Sequence, residues 1–179
     1  MFCSITNITP FCDGRAMGLR IRDIMTTQVV TLLGTDTVRD ATICFAVDNI
    51  SGAPVVDEDY RLVGIISEID ILGLIVKYEK MLNRQGSASH ILSVPMDKVD
   101  DEDEQLNAIV REISETKVYE IMSKTVLTTS PDAKIMEVLK VMIDLDINRV
   151  PVLEKGVLVG IVTRGDIVFS IYKRKVRDD

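Results

Sequence analysis

The chain repeats itself. Ile21-Arg22-Asp23-Ile24-Met25 returns as Val118-Tyr119-Glu120-Ile121-Met122, and Ala53-Pro54-Val55-Val56-Asp57 returns at the same offset as Val150-Pro151-Val152-Leu153-Glu154. After a one-residue deletion in a turn, Leu62-Val63-Gly64-Ile65-Ile66-Ser67-Glu68-Ile69-Asp70-Ile71 returns as Leu158-Val159-Gly160-Ile161-Val162-Thr163-Arg164-Gly165-Asp166-Ile167. Three matched blocks in one order mark a duplication, which confines the fold to two similar supersecondary units.

Each copy reads as strand, helix, strand, strand, helix. Residues 29–32 form a short β-branched run followed by turn chemistry at Gly34-Thr35-Asp36. Val38, Ala41, Ile43-Cys44-Phe45 and Val47 then recur at helical spacing. Apolar runs at 53–56 and 62–66 flank a polar turn and predict a hairpin, and a helix follows over 69–82. The second copy predicts a strand over 126–128 and a helix carrying Ile135, Val138, Leu139 and Met142 on one face. Strands over 150–153 and 158–162 meet at Lys155-Gly156, and a helix over 165–175 closes the copy. The expected fold is therefore α+β: two βαββα repeats packed as a pseudo-two-fold module. Boundaries follow as an N-terminal arm over 1–18, a first domain over 19–84, a linker over 85–116 and a second domain over 117–179. Within the linker, Leu106, Ile109, Val110 and Ile113 behind an acidic run predict a short amphipathic helix.

Charge narrows the function. Lys and Arg number 21 against 28 Asp and Glu, a net charge of −7, which disfavours nucleic acid because that affinity is largely phosphate neutralisation. Aromatics at 4% and the lack of Trp remove the stacking platforms of a single-strand binder. The most apolar stretch, 62–76, is broken by Glu68 and Asp70, so no membrane span is expected. The first residues lack the basic start and apolar core of a secretory signal, which points to the cytoplasm. Three cysteines without CxxC spacing indicate neither a disulfide framework nor a zinc site. His90, the single histidine, stands in a Ser-rich linker with no evident catalytic partner. No catalytic dyad, metal-ligand cluster or glycine-rich phosphate loop is present, so neither an enzyme nor a catalytic cofactor is expected.

The doubled order of an apolar-Pro-Val hairpin and a Gly-apolar-apolar-Ser/Thr-x-x-Asp closing motif resembles a tandem pair of cystathionine-β-synthase (CBS) domains. Asp23-Ile24-Met25 and Glu120-Ile121-Met122 resemble the family's usual lead-in to each copy. The resemblance implies a regulatory sensor that binds AMP, ADP, ATP or S-adenosylmethionine in clefts between its copies, forms a homodimer and passes occupancy to an effector partner. The alternative is a structural scaffold with no ligand.

Ser67-Glu68-Ile69-Asp70 and Thr163-Arg164-Gly165-Asp166 fit two readings. Each is a helix capping box, in which the hydroxyl and carboxylate bond early backbone N–H groups. Each also offers a helix N-terminus to phosphate and a carboxylate to ribose hydroxyls. By resemblance, Asp70 and Asp166 match the ribose-binding position, and Ser67 and Thr163 a polar or phosphate contact. Arg149, two residues before Pro151, matches a phosphate-contacting position; the first copy has only Ser51-Gly52 before Ala53-Pro54. Glu68 likewise stands where the second copy has Arg164. Unequal sites are expected, the second preferring a phosphorylated ligand. An adenine slot would draw on Thr31, Ala53, Pro54 and Ile66 in the first copy, and on Thr128, Val150, Pro151 and Val162 in the second.

Overall fold

A computed structural model describes residues 3–4, 19–84 and 104–175. The Ser-rich linker with His90, the acidic run and most of the N-terminal arm lie outside the described residues. In chain order the elements are β1 (Cys3–Ser4), β2 (Leu32–Leu33), α1 (Val38–Asp48), β3 (Gly52–Val56), β4 (Leu62–Ser67) and α2 (Glu68–Arg84). They continue with α3 (Glu104–Glu115), α4 (Val118–Ile121), β5 (Leu127–Thr128), α5 (Ile135–Asp144), β6 (Arg149–Glu154), β7 (Val157–Thr163) and α6 (Arg164–Lys175). Each copy is thus a βαββα unit, as its sequence pattern predicts.

The opening strand of the first copy is shorter than its β-branched run suggests. Only Leu32 and Leu33 pair, in parallel with Val55 and Val56. One register step earlier Thr31 stands opposite Pro54, which has no N–H to extend the ladder. The second hairpin closes tightly: Glu154 pairs with Val157 across Lys155-Gly156, both at positive φ (51° and 85°). Two successive left-handed residues give the turn whose twist matches that of the flanking strands.

The described residues fall into two compact units. One gathers Val30–Glu58 and Val63–Lys124. Its core joins Val38, Ala41 and Phe45 of α1 to Ala53 and Val55 of β3, Ile66 of β4 and the inner face of α2. The stripe Leu106, Val110 and Ile113 of α3 is buried in that core, so the linker helix packs along the copy. Tyr78 of α2 donates to Glu112 of α3 at 2.8 Å. Burial, then this bond, push the phenol pKa up to about 12.

Val118 of α4 is also fully buried here, although it leads into the second copy. Backbone bonds hold it there. Val118 N–H donates to Asp36 O at 2.9 Å, Tyr119 N–H to Gly34 O at 3.1 Å, and Ser123 and Ile65 exchange a pair at 2.9 and 3.0 Å.

The other unit gathers the residues up to Val29, Asp59–Leu62 and those from Thr125 onward. Its core joins Ile135, Val138 and Met142 of α5 to Val150, Val152, Val162 and Ile167. Ile21, which leads into the first copy, is fully buried within it. The bonds are the same ones again. Ile21 N–H donates to Ala133 O at 3.0 Å, Arg22 N–H to Pro131 O at 3.0 Å, and Thr26 and Ile161 exchange a pair, each at 2.9 Å. Arg22 also pairs with the Asp132 carboxylate. The lead-in of each copy is therefore built into the other copy's sheet. β1 adds a parallel edge to β5 in this unit.

This exchange explains two repeated residues. A Cβ on Gly64 would stand 2.5 Å from Met122 Sδ and 3.0 Å from Ser123 O. A Cβ on Gly160 would stand 2.8 Å from Met25 Sδ and 3.1 Å from Thr26 O. Glycine is needed because the exchanged strand and its methionine lie directly on the backbone. Gly64→Ala should cost about 1–3 kcal/mol through overpacking. Gly73→Ala, with open space around it in the middle of α2, should instead stabilise by about 0.5–1 kcal/mol. Urea midpoints of the two variants check both signs.

Candidate functional site

In each copy the Ser/Thr-x-x-Asp tetrad spans the junction between the last strand and the closing helix. In the second copy the antiparallel register sets Arg149 opposite Thr163, Val150 opposite Val162 and Pro151 opposite Ile161. Thr129 bridges Val152 in parallel and donates to Pro151 O at 3.0 Å, which leaves Thr128 in register with Pro151. In the first copy Thr31 stands in register with Pro54 in the same way. Ser67 ends β4 and Thr163 ends β7, each three residues before its aspartate.

Burial divides these residues. Ala53, Ile66, Val150 and Val162 have no exposed surface and belong to the two cores. Pro54, Pro151 and Thr128 are buried as well. Thr31, Ser67, Asp70, Arg149, Thr163, Arg164 and Asp166 are half-buried. A ligand's polar contacts can therefore come from side chains, while the apolar set supplies chiefly shape and backbone edges.

The caps form in both copies. Ser67 donates to Asp70 Oδ2 through its N–H at 2.8 Å and its hydroxyl at 2.7 Å. Thr163 donates to Asp166 Oδ2 at the same two distances, and its hydroxyl accepts the Asp166 N–H at 3.2 Å. Thr37 and Asp40 make the same box at the start of α1, so the box alone is a folding device. There the Thr37 bonds hold the Asp40 carboxyl below its usual range. What matters at the candidate sites is the oxygen used. Every cap bond goes to Oδ2, and among the described residues Oδ1 of Asp70 and of Asp166 accepts none. Capping and acceptance from a ribose hydroxyl can then proceed together, one on each oxygen.

Arg164 has a different occupation. Its Nη2 donates to Met142 O at 2.8 Å and Asp146 Oδ1 at 2.9 Å, and its Nε donates to Ile147 O at 3.0 Å. The side chain closes the C-terminus of α5, where carbonyls lack helical partners and a cation is favoured. Sequence reasoning grouped it with the ligand residues because it lies inside the Thr-x-x-Asp motif. It also passed over the Met25–Gly160 and Met122–Gly64 contacts, whose signal was that both partners repeat.

The CBS domain family model matches residues 21–77 and 118–173. The chain belongs to the CBS domain family. The uncharacterised protein MJ1426 of Methanocaldococcus jannaschii is 36% identical to this CBS pair over 84% of the chain and 90% of its own length. Two solved CBS pairs share the fold. One is CBSX2 of Arabidopsis thaliana in complex with AMP, with a TM-score of 0.65, 21% identity, and coverage of 88% of this chain and 99% of that one. The other is the CBS domain pair of protein MJ0100 in complex with 5′-methylthioadenosine and S-adenosyl-L-methionine, with a TM-score of 0.61, 23% identity, and coverage of 88% and 98%. Among the described residues no helix is long and apolar enough to cross a membrane.

Proposed function

We propose that this CBS pair is a non-enzymatic, cytoplasmic sensor of adenosine compounds. AMP, ADP, ATP or S-adenosylmethionine binds through the carboxylate at the head of a closing helix, and a partner protein reads the occupancy. The observation that supports this most directly is that, among the described residues, Oδ1 of Asp70 and of Asp166 accepts no bond, beside an already ordered helix N-terminus. The ligands named for CBSX2 and MJ0100 point the same way. The adenine slot draws on Thr31, Ala53, Pro54 and Ile66 in the first copy and on Thr128, Val150, Pro151 and Val162 in the second. The two sites are unequal. Arg149 gives the second a cation opposite Thr163, whereas the first has Gly52 at that position, so phosphorylated ligands prefer the second.

Calorimetric titration with AMP, ATP and S-adenosylmethionine tests the reading, and absence of heat with all three overturns it. Arg149→Ala should weaken AMP by about 1.5–3 kcal/mol, roughly 10- to 150-fold, and leave adenosine nearly unchanged. Equal losses for both ligands would remove Arg149 from the phosphate.

A homodimer is part of the proposal. The outer faces of α1 and α2 leave Ile43, Val47, Ile69 and Leu72 more than half exposed, and those of α5 and α6 leave Ile143, Val168 and Phe169 so. Large apolar side chains left exposed on helix faces support an interface. Sedimentation of Val47→Glu as a monomer, against a dimeric parent, is the expected result. The scaffold reading is favoured by caps that are complete without ligand. It predicts that Asp166→Ala lowers stability and changes no affinity.

A further inference from the structure

The two copies share a cradle that only one of them fills. In the second copy the Arg164 guanidinium occupies it, bonded to Met142 O, Ile147 O and Asp146. The duplication places Phe45 where Met142 stands, Asn49 where Asp146 stands, Ile50 where Ile147 stands and Glu68 where Arg164 stands.

The two turns share a left-handed residue and two backbone bonds, although α1 ends one residue later than α5. Asn49 and Asp146 are left-handed, at φ 52° and 51°. Ile50 N–H donates to Phe45 O at 3.1 Å, as Ile147 N–H donates to Met142 O at 2.8 Å. Glu68 N–H donates to Ser51 O at 3.2 Å, as Arg164 N–H donates to Asn148 O at 3.1 Å. The first copy keeps the Ile50 carbonyl and has an amide oxygen at Asn49, while its Phe45 carbonyl already accepts from the Asn49 and Ile50 N–H groups; a carboxylate replaces the internal cation. At that place lies an open cavity of about 600 Å³, lined by Phe45, Asn49, Ile50, Glu68, Ile71 and Leu72 among others.

We propose that this cavity binds a guanidinium-bearing small molecule of the arginine class. Its planar head would take the position that the Arg164 head takes in the other copy. Ile50 O and the Asn49 amide oxygen accept from its fork of N–H donors, and Glu68 supplies the countercharge. The C-terminus of α1 favours a cation at this spot, and Ile71 and Ile75 offer an apolar wall to a methylene chain. The volume is that of a small-molecule site. A net charge of −7 raises the local concentration of a cationic ligand. The site uses none of the adenosine residues, so it stands or falls separately from the proposed sensor role.

Calorimetric titration of the full chain with L-arginine, citrulline and lysine decides it. Arginine should bind saturably. Citrulline, which keeps the shape and lacks the charge, should bind at least about tenfold more weakly, and lysine should also be weaker for want of the planar fork. Glu68→Gln should weaken arginine about tenfold. Glu68→Arg should fill the cradle from within and abolish arginine binding. No heat with arginine, equal binding of citrulline, or arginine binding to Glu68→Arg as to the parent would each overturn the proposal.

Discussion

Ile21→Ala should lower stability by about 2–5 kcal/mol, and the damage should appear in β6 and β7 rather than in the copy that Ile21 precedes. Ile21 has no exposed surface and packs with Ile135, Val138, Met142, Val150, Val162 and Ile167. Truncation removes its transfer energy and leaves a cavity among side chains held by two strands and two helices. Urea denaturation measures the loss. Hydrogen exchange locates it: amides of 149–163 should lose protection before those of 52–67. Val118→Ala should reverse that order, since Val118 is buried in the core containing Val55 and Ile66. Loss of protection in 52–67 for Ile21→Ala would mean that the exchanged lead-ins are misassigned.

Arg164→Ala should cost about 3 kcal/mol. Its three bonds run from a charged donor, which places each near 1.5–3 kcal/mol before allowance for water. The arginine is about one-third exposed and Asp146 is 94% exposed, so the ion pair itself should add less than about 1 kcal/mol. The carbonyls of Met142 and Ile147 carry most of the effect. Asp146→Asn, which tolerates the left-handed backbone, should therefore be nearly neutral, and 0.5 M salt should change little. Arg164→Lys should recover less than half the loss, because an ammonium cannot reach both carbonyls as the fork does. If Asp146→Asn cost as much as Arg164→Ala, the bonds to the α5 terminus would not be what holds the side chain.

The duplicated blocks made the βαββα order readable because each carries local chemistry. Pro54 and Pro151 sit in apolar hairpin strands, Lys155-Gly156 suits a two-residue turn, and Ser67/Asp70 and Thr163/Asp166 cap helices. Each of these depends on neighbours within a few residues. The destination of Ile24-Met25 and Ile121-Met122 does not. The two segments are nearly alike and fit either sheet by local preference, and only the path of the chain decides which sheet receives them. The roles within Thr163-Arg164-Gly165-Asp166 were hidden for a related reason. Asp166 and Arg164 are two residues apart, yet one faces its own helix N-terminus and the other reaches back to carbonyls of α5. From sequence, cap and ribose contact look like rivals for Asp70 and Asp166; at atomic detail one carboxylate has an oxygen for each.

The swapped lead-ins set the smallest piece of this chain that is able to stand alone. A fragment carrying one repeat would bring a plug shaped for its twin and would leave its own socket empty. Two identical fragments could satisfy each other only by trading plugs. Divergence between the halves is restrained accordingly: a change at Met25 is tolerated or rejected by Gly160, far along the polypeptide, and seldom by the residues beside it.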